Sequence, residues 1–250
     1  MTKMNHILCL AALSISTSGV ALAQSAQNSA PPANASAVVN ISPLRVDMAS
    51  TVESEQMLLR NESNQPLTVQ LRMFGWNQAE GKDSYAPSQD FLVSPSIITV
   101  APQSTQTLHV VPNSQRDEMT ERTYRVVLDQ IINKQGQAPG MAQTRLRMTV
   151  PLFSGGEKAS AADLSYVVKG NRLYITNNGG RAAVLPSVNI QFGAPQSAEV
   201  PLEGSPRYVL SRSTMSVAMP AAFQCDGKPV TVSGMIGRKP FHAVATQNCT

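Results

Sequence analysis

Residues 55–76, EQMLLRNESNQPLTVQLRMFGW, decide the fold class. Two apolar runs of period two, at 55–61 and 67–76, flank the polar stretch NESNQP. Alternation of that kind marks half-buried strands joined by a turn. Working outward, the same texture recurs at 38–41, 44–48, 91–94, 97–100, 105–111, 122–132 and 144–153, each run punctuated by Pro, Gly, Asn or Ser. Nine strands in about 115 residues is the density of a β-sandwich, and the turn spacing suits an immunoglobulin-like topology. Helical periodicity is absent. The stretch 119–129 reads as strand because Thr123, Tyr124, Val126 and Val127 favour it.

Residues 154–162, SGGEKASAA, form a small polar linker with a glycine pair, the best boundary in the chain. Beyond it, runs at 164–168 and 172–176 flank Lys169-Gly170-Asn171, a hairpin signal. Further runs at 182–192, 207–210, 215–218, 230–236 and 241–245 make a second, smaller β domain. The expected architecture is all-β, with immunoglobulin-like sandwiches at 38–153 and 163–250 on either side of the linker.

Ahead of the first strand, Lys3 precedes an apolar stretch at 7–15 and then Ala21-Leu22-Ala23 before Gln24. That is the order of a secretory signal peptide, 1–23, cut after Ala23. The apolar stretch is far shorter than the roughly 20 residues that span a bilayer, and no later segment comes close. The mature chain is therefore expected to be exported and not membrane-embedded. Residues 24–37, QSAQNSAPPANASA, carry almost no large apolar side chain and are expected to form a flexible leader.

Cys9 leaves with the signal. Cys225 and Cys249 remain, and an even count in an exported chain, with no C-x-x-C pair, favours a disulfide. Such a bridge is worth roughly 3 kcal/mol by chain-entropy arguments. The formal charge of +4 falls to +3 without Lys3, too little to argue for nucleic acid. The two mature histidines, His109 and His242, sit in strand patterns without acidic or cysteine neighbours at ligand spacing. There is no H-E-x-x-H, G-x-S-x-G or phosphate-binding loop, so no metal, cofactor or catalytic set is expected. Asn34, Asn61 and Asn248 head N-glycosylation triplets, which arise often by chance. Trp76 reads as a core residue.

A series of short motifs then runs in order through the first domain. It comprises Ile41-Ser42-Pro43-Leu44-Arg45-Val46, Leu58-Leu59-Arg60-Asn61-Glu62-Ser63, Val69 to Trp76-Asn77-Gln78, Val93-Ser94-Pro95-Ser96-Ile97-Ile98, and Val100-Ala101-Pro102 followed by Gln106. Tyr124-Arg125-Val126-Val127-Leu128-Asp129-Gln130 and Val150-Pro151-Leu152-Phe153 complete it. In this order the chain resembles the periplasmic chaperones of the chaperone–usher pilus pathway, of the PapD-like superfamily, and most closely the archaic group that assembles Csu-type pili. The second domain matches more loosely, chiefly at Leu173-Tyr174-Ile175-Thr176-Asn177-Asn178, a strand running into an asparagine turn.

The resemblance implies two immunoglobulin-like domains in an L-shaped arrangement, a periplasmic location, pilus subunits and an outer-membrane usher as partners, and no enzymatic activity. It further implies donor-strand complementation, in which the chaperone fills the open groove of an incomplete subunit with its own edge strand. The corresponding strand is 144–150, where Leu146, Met148 and Val150 share one face and Arg145, Arg147 and Thr149 the other. Alternation alone favours those three apolar residues packing inward; the resemblance reverses that. Arg45 matches the arginine that holds the subunit's terminal carboxylate, for which a guanidinium fork is suited. The lysine that usually assists it falls at Pro151, so Arg125 is the expected second anchor. Between strands, 133–143 form a polar loop. An apolar edge strand tends to self-pair, so a self-capping dimer is among the states expected of the free protein.

Two rival classes remain at this point. An exported pilus subunit or adhesin would carry an amino-terminal donor segment, and 24–37 lack the alternating pattern for one. An exported β-sandwich hydrolase is weakened by the shortage of histidine.

Overall fold

In a computed structural model of the chain, the described residues are 38–79, 81–132, 145–193, 200–201 and 207–249, all within one compact unit. The expected signal peptide, the leader and the polar loop 133–143 lie outside them.

The first sandwich is built from β1 (Val39–Ser42), β2 (Val46–Met48), β3 (Glu55–Asn61), β4 (Leu67–Ala79), β5 (Lys82–Pro87), β6 (Phe91–Ser94), β7 (Ile97–Val100), β8 (Thr105–Pro112), β9 (Arg122–Gln130) and β10 (Arg147–Ser154). One sheet has the order β1-β3-β8-β6 and the other β2-β10-β9-β4-β5, with β7 also on β4. Alternation explains the shared core. Met57 and Leu59 on β3, Leu67, Val69 and Leu71 on β4, and Leu108 and Val110 on β8 point inward, while Gln56, Leu58 and Arg60 point out. Each such side chain contributes about 1.5–3 kcal/mol by leaving water. The chain passes from one sheet to the other at Ser42-Pro43 and at Ser94-Pro95, both cis.

The second sandwich comprises β11 (Leu164–Lys169), β12 (Arg172–Asn177), β13 (Ala183–Val184), β14 (Ser187–Gln191), β15 (Val200–Pro201), β16 (Tyr208–Val209), β17 (Thr214–Ala218), β18 (Val230–Ile236) and β19 (Lys239–Asn248). Its main sheet runs β15-β14-β18-β19-β11-β12-β17, and β13 pairs with β16. β19 pairs with β18 over 239–245 and with β11 over 246–248, so one strand carries the sheet around a second apolar core. Gly170 and Asn171 form the turn of the β11–β12 hairpin, with Gly170 at φ +53°.

Among the described residues there is no helix, as the absence of helical periodicity predicts. Alternation missed β5 because all six of its residues are exposed; β5 extends the sheet by pairing with a longer β4 than the apolar run suggests. The run 182–192 is two strands, interrupted at Leu185-Pro186, where proline cannot donate a ladder bond.

Two buried asparagines repeat one device. Asn61 Nδ2 donates to the carbonyls of Gln65, Val100 and Ala101, and Asn177 Nδ2 to those of Arg181, Val209 and Leu210. Each amide thus closes the turn after its strand against a strand of the opposite sheet. The Asn61 side chain is fully buried, which removes it as a glycan acceptor. Cys225 and Cys249 form a disulfide with Cα atoms 5.5 Å apart, tying the end of β19 to the segment before β18.

The linker glycines do more than add polarity. Gly155 and Gly156 both sit at φ +71°, and a Cβ on Gly155 would lie 2.3 Å from the Asp117 carbonyl oxygen. Only glycine lets this segment press so closely against the loop before β9. Gly156 N–H donates to Asp117 O, Lys158 N–H to Glu118 O, and the Lys158 ammonium pairs with the Glu118 carboxylate at 2.7 Å.

Candidate functional site

The even-numbered end of β4 turns away from the first core. Leu67, Val69, Leu71 and Met73 face that core, whereas Trp76 and Gln78 lie buried on the opposite face. Trp76 packs with Phe153 of β10 and Leu210 in a separate cluster, flanked by Tyr208 and Ala182 of the second sandwich. The Trp76 and Tyr208 rings meet edge to face at 5.5 Å, and Phe153 lies 5.6 Å from Tyr208. Gln78 seals the contact: its Nε2 donates to Tyr208 O at 3.0 Å, and its Oε1 accepts from Leu210 N–H at 2.8 Å.

Both arginines singled out in the sequence reach this aromatic cluster. The Arg45 guanidinium lies 3.9 Å from the Phe153 centroid and 6.0 Å from Tyr208. The Arg125 guanidinium lies 3.6 Å from the Trp76 ring and 5.6 Å from Tyr208. Stacking of this kind holds a cation in place at little cost in solvation. Their pairing differs. Arg45 is paired with Asp47, Nε to Oδ2 at 2.6 Å and Nη2 to Oδ1 at 2.5 Å. Arg125 makes no ion pair among the described residues, and its buried Nε has no hydrogen-bond partner. Neither Asp47 nor Tyr208 was singled out by sequence reasoning.

Glu121 closes the same junction. Its Oε1 accepts from Ala182 N–H at 2.6 Å, and Arg181 Nε lies 3.8 Å from Oε2. Burial pushes this carboxyl above its ordinary value, against the opposing pull of the Ala182 N–H and of Arg181.

The other half of the site is the outer edge of β10. β9 pairs with β10 over its whole length, but β2 pairs with it only over Leu152–Ser154. Residues 147–151 are therefore unpaired on the outer side among the described residues. Gln130 N–H donates to Leu146 O, which places Leu146, Met148 and Val150 at the positions bonded to β9. Arg147 and Thr149 accordingly direct their N–H groups outward. Pro151 shares that outward parity, so its missing N–H costs the β9 ladder nothing.

The three apolar residues expected to act together do not share one environment. Leu146 and Met148 are half-buried, whereas Val150 is 1% exposed and belongs to the first core. The inward packing that alternation favoured is complete for Val150 and partial for Met148, which also packs against that core. On the polar face, Arg147 pairs with the Asp129 carboxylate at 2.5 Å, as does Arg72 of β4. Three strands are thereby clasped, and the Arg147 hydrogen bond, then that of Arg72, holds the Asp129 carboxyl below the usual range. A recess of about 210 Å³ lined by Phe74, Tyr85, Arg125, Val127, Arg147 and Thr149 joins Arg125 to this edge.

Residues 38–155 match the family model described as the pili and flagellar-assembly chaperone, PapD amino-terminal domain. The match spans the first sandwich of the chain. The exposed His109 and His242 lie on β8 and β19, in different sandwiches.

Solved structures of such chaperones share the fold over both sandwiches. A chain of the CsuC–CsuE chaperone–tip adhesion subunit pre-assembly complex of Acinetobacter baumannii aligns with 84% of this chain and 99% of its own, at 21% identity and a TM-score of 0.64. The chaperone DraB of E. coli aligns over 84% and 97%, at 16% identity and 0.60. A chain of the SafA pilin–SafB chaperone complex of Salmonella enterica aligns over 83% and 96%, at 19% identity and 0.59. No curated protein sequence gives a significant match. Among the described residues no group of acidic, histidine or cysteine side chains could hold a metal ion, and no helix is long and apolar enough to cross a membrane.

Proposed function

We propose that this protein is a periplasmic chaperone that binds pilus subunits through the outer edge of β10 and delivers them to an outer-membrane usher. The observation that carries the reading is the free edge at 147–151, beside a cleft in which Arg45 and Arg125 stand over aromatic rings. The main chain of Arg147 and Thr149 supplies the ladder to a subunit strand, and Leu146 and Met148 enter the subunit's open groove. Val150 stays in the chaperone's own core and ends the inserted segment. The subunit's terminal carboxylate lies between Arg45 and Arg125, where charge-assisted hydrogen bonds add to the strand contacts. The CsuC–CsuE and SafA–SafB complexes are such pairings of a chaperone with a subunit.

Without a subunit, the same edge is open to a second copy of the chain, and the free protein caps itself as a dimer. Coexpression with candidate pilus subunits tests the reading. Copurification of an equimolar complex from the periplasm supports it; subunits that are rescued equally well by Leu146→Arg and Met148→Arg variants would remove it.

A further inference from the structure

We infer that Asp47 is a positioning residue for the carboxylate anchor, one that holds Arg45 by its side edge and leaves its end edge for the incoming terminus. The inference rests on the proposed role of Arg45 as an anchor. A guanidinium offers two forks to carboxylates, one formed by Nε with one terminal nitrogen and one formed by the two terminal nitrogens. Asp47 takes the first, with contacts of 2.6 and 2.5 Å. Nη1 makes no hydrogen bond among the described residues. The ring of Phe153 lies under the guanidinium plane at 3.9 Å from its centre.

The backbone builds this arrangement. Arg45 immediately precedes β2 and Asp47 is its middle residue, and at this spacing of two their side chains meet on one side of the chain. β2 pairs in parallel with β10, and in that register Asp47 lies opposite Phe153. The residue that grips the fork and the ring that supports its face therefore come from adjacent positions of one ladder. An arginine side chain loses much rotamer freedom when it is ordered. Asp47 and Phe153 make it lose that freedom before the partner arrives, so less of the contact energy is consumed on binding.

A competing role for the same contact has the opposite sign. If Asp47 merely occupied Arg45, removing it would free the fork and strengthen binding to a carboxylate. Two synthetic peptides of one alternating apolar sequence, one ending in a free α-carboxylate and the other in a carboxamide, separate the roles. Affinity for each is measured on the full chain, its Asp47→Asn and Asp47→Ala variants and an Arg45→Ala control.

Positioning predicts that the intact chain prefers the acid by about tenfold, that Asp47→Asn, which keeps one acceptor, reduces the preference, and that Asp47→Ala nearly abolishes it. Affinity for the carboxamide stays unchanged throughout. A preference that rises or holds in Asp47→Ala, while Arg45→Ala removes it, overturns the inference and leaves the anchor standing. Equal binding of acid and amide by the intact chain overturns the anchor and the inference together.

Discussion

The guanidinium groups of Arg45 and Arg125, eighty residues apart in the chain, converge on one ring: they lie 6.0 and 5.6 Å from the centroid of Tyr208. Tyr208 belongs to the second sandwich, both arginines to the first. The second sandwich thus supplies the shared ring, while both guanidinium groups facing it come from the first. Because Arg45 is already paired with Asp47, the unpaired positive charge of the pair resides on Arg125. Replacing Arg125 by Ala should weaken subunit binding by about ten- to a hundredfold, the worth of a charge-assisted hydrogen bond. Titration of a subunit that retains its free carboxyl terminus measures this, and an Arg125→Ala protein with full affinity would remove Arg125 from the anchor.

The division between Val150 and its two neighbours predicts two different phenotypes from one strand face. Leu146→Arg and Met148→Arg should abolish subunit copurification while leaving the thermal midpoint close to that of the parent protein. Val150→Ala should instead cost about 2 kcal/mol of folding stability, as expected where a fully buried side chain is shortened. Paired denaturation and copurification assays distinguish the two classes of variant.

The raised Glu121 carboxyl gives stability a definite pH dependence. A carboxyl whose folded value lies above its unfolded one contributes stability that is full below the unfolded value, near 4.5, and is lost as pH rises through the folded value. Glu121→Gln keeps an acceptor for the Ala182 N–H but removes the buried charge. The variant should melt higher than the parent at pH 8 and equally at pH 4. A lower midpoint at pH 8 would mean that the Arg181 contact outweighs the burial.

Asp129 behaves in the opposite sense. Arg147 and Arg72 hold its carboxyl down, so its contribution is present above the ordinary carboxylate range and is lost as pH falls through the depressed folded value. Asp129→Asn should release the start of β10 at neutral pH. Faster amide exchange at Met148 and Val150, with little change at Leu152, is the expected signature.

Most of the β architecture is legible in alternation because each sandwich buries one face of each sheet, and buried faces write a period of two into the sequence. β5 and the two-residue β15 are the exceptions: with no side chain in a core, they leave no such pattern. Within the site, Arg45 and Arg125 emerged only from the ordered motifs, and their surroundings did not emerge at all. Tyr208 reaches them through tertiary folding from more than eighty residues away, which no local pattern reports. Trp76 was read as core, and it is buried, but its even position against Leu67, Val69, Leu71 and Met73 is what sends it into the junction between the sandwiches. That parity was present in the sequence. Asp47, two residues beyond Arg45, was present too, but an aspartate at that spacing has many uses and only the bidentate geometry selects one.

Hydrogen exchange at the amides of Arg147 and Thr149 tests the use of β10 most directly. Both N–H groups face the open edge, so they should exchange freely in the isolated monomer and become protected when a pilus subunit is bound. If a tight equimolar complex forms while both amides continue to exchange as in the monomer, the subunit is held elsewhere and the strand-addition account is contradicted.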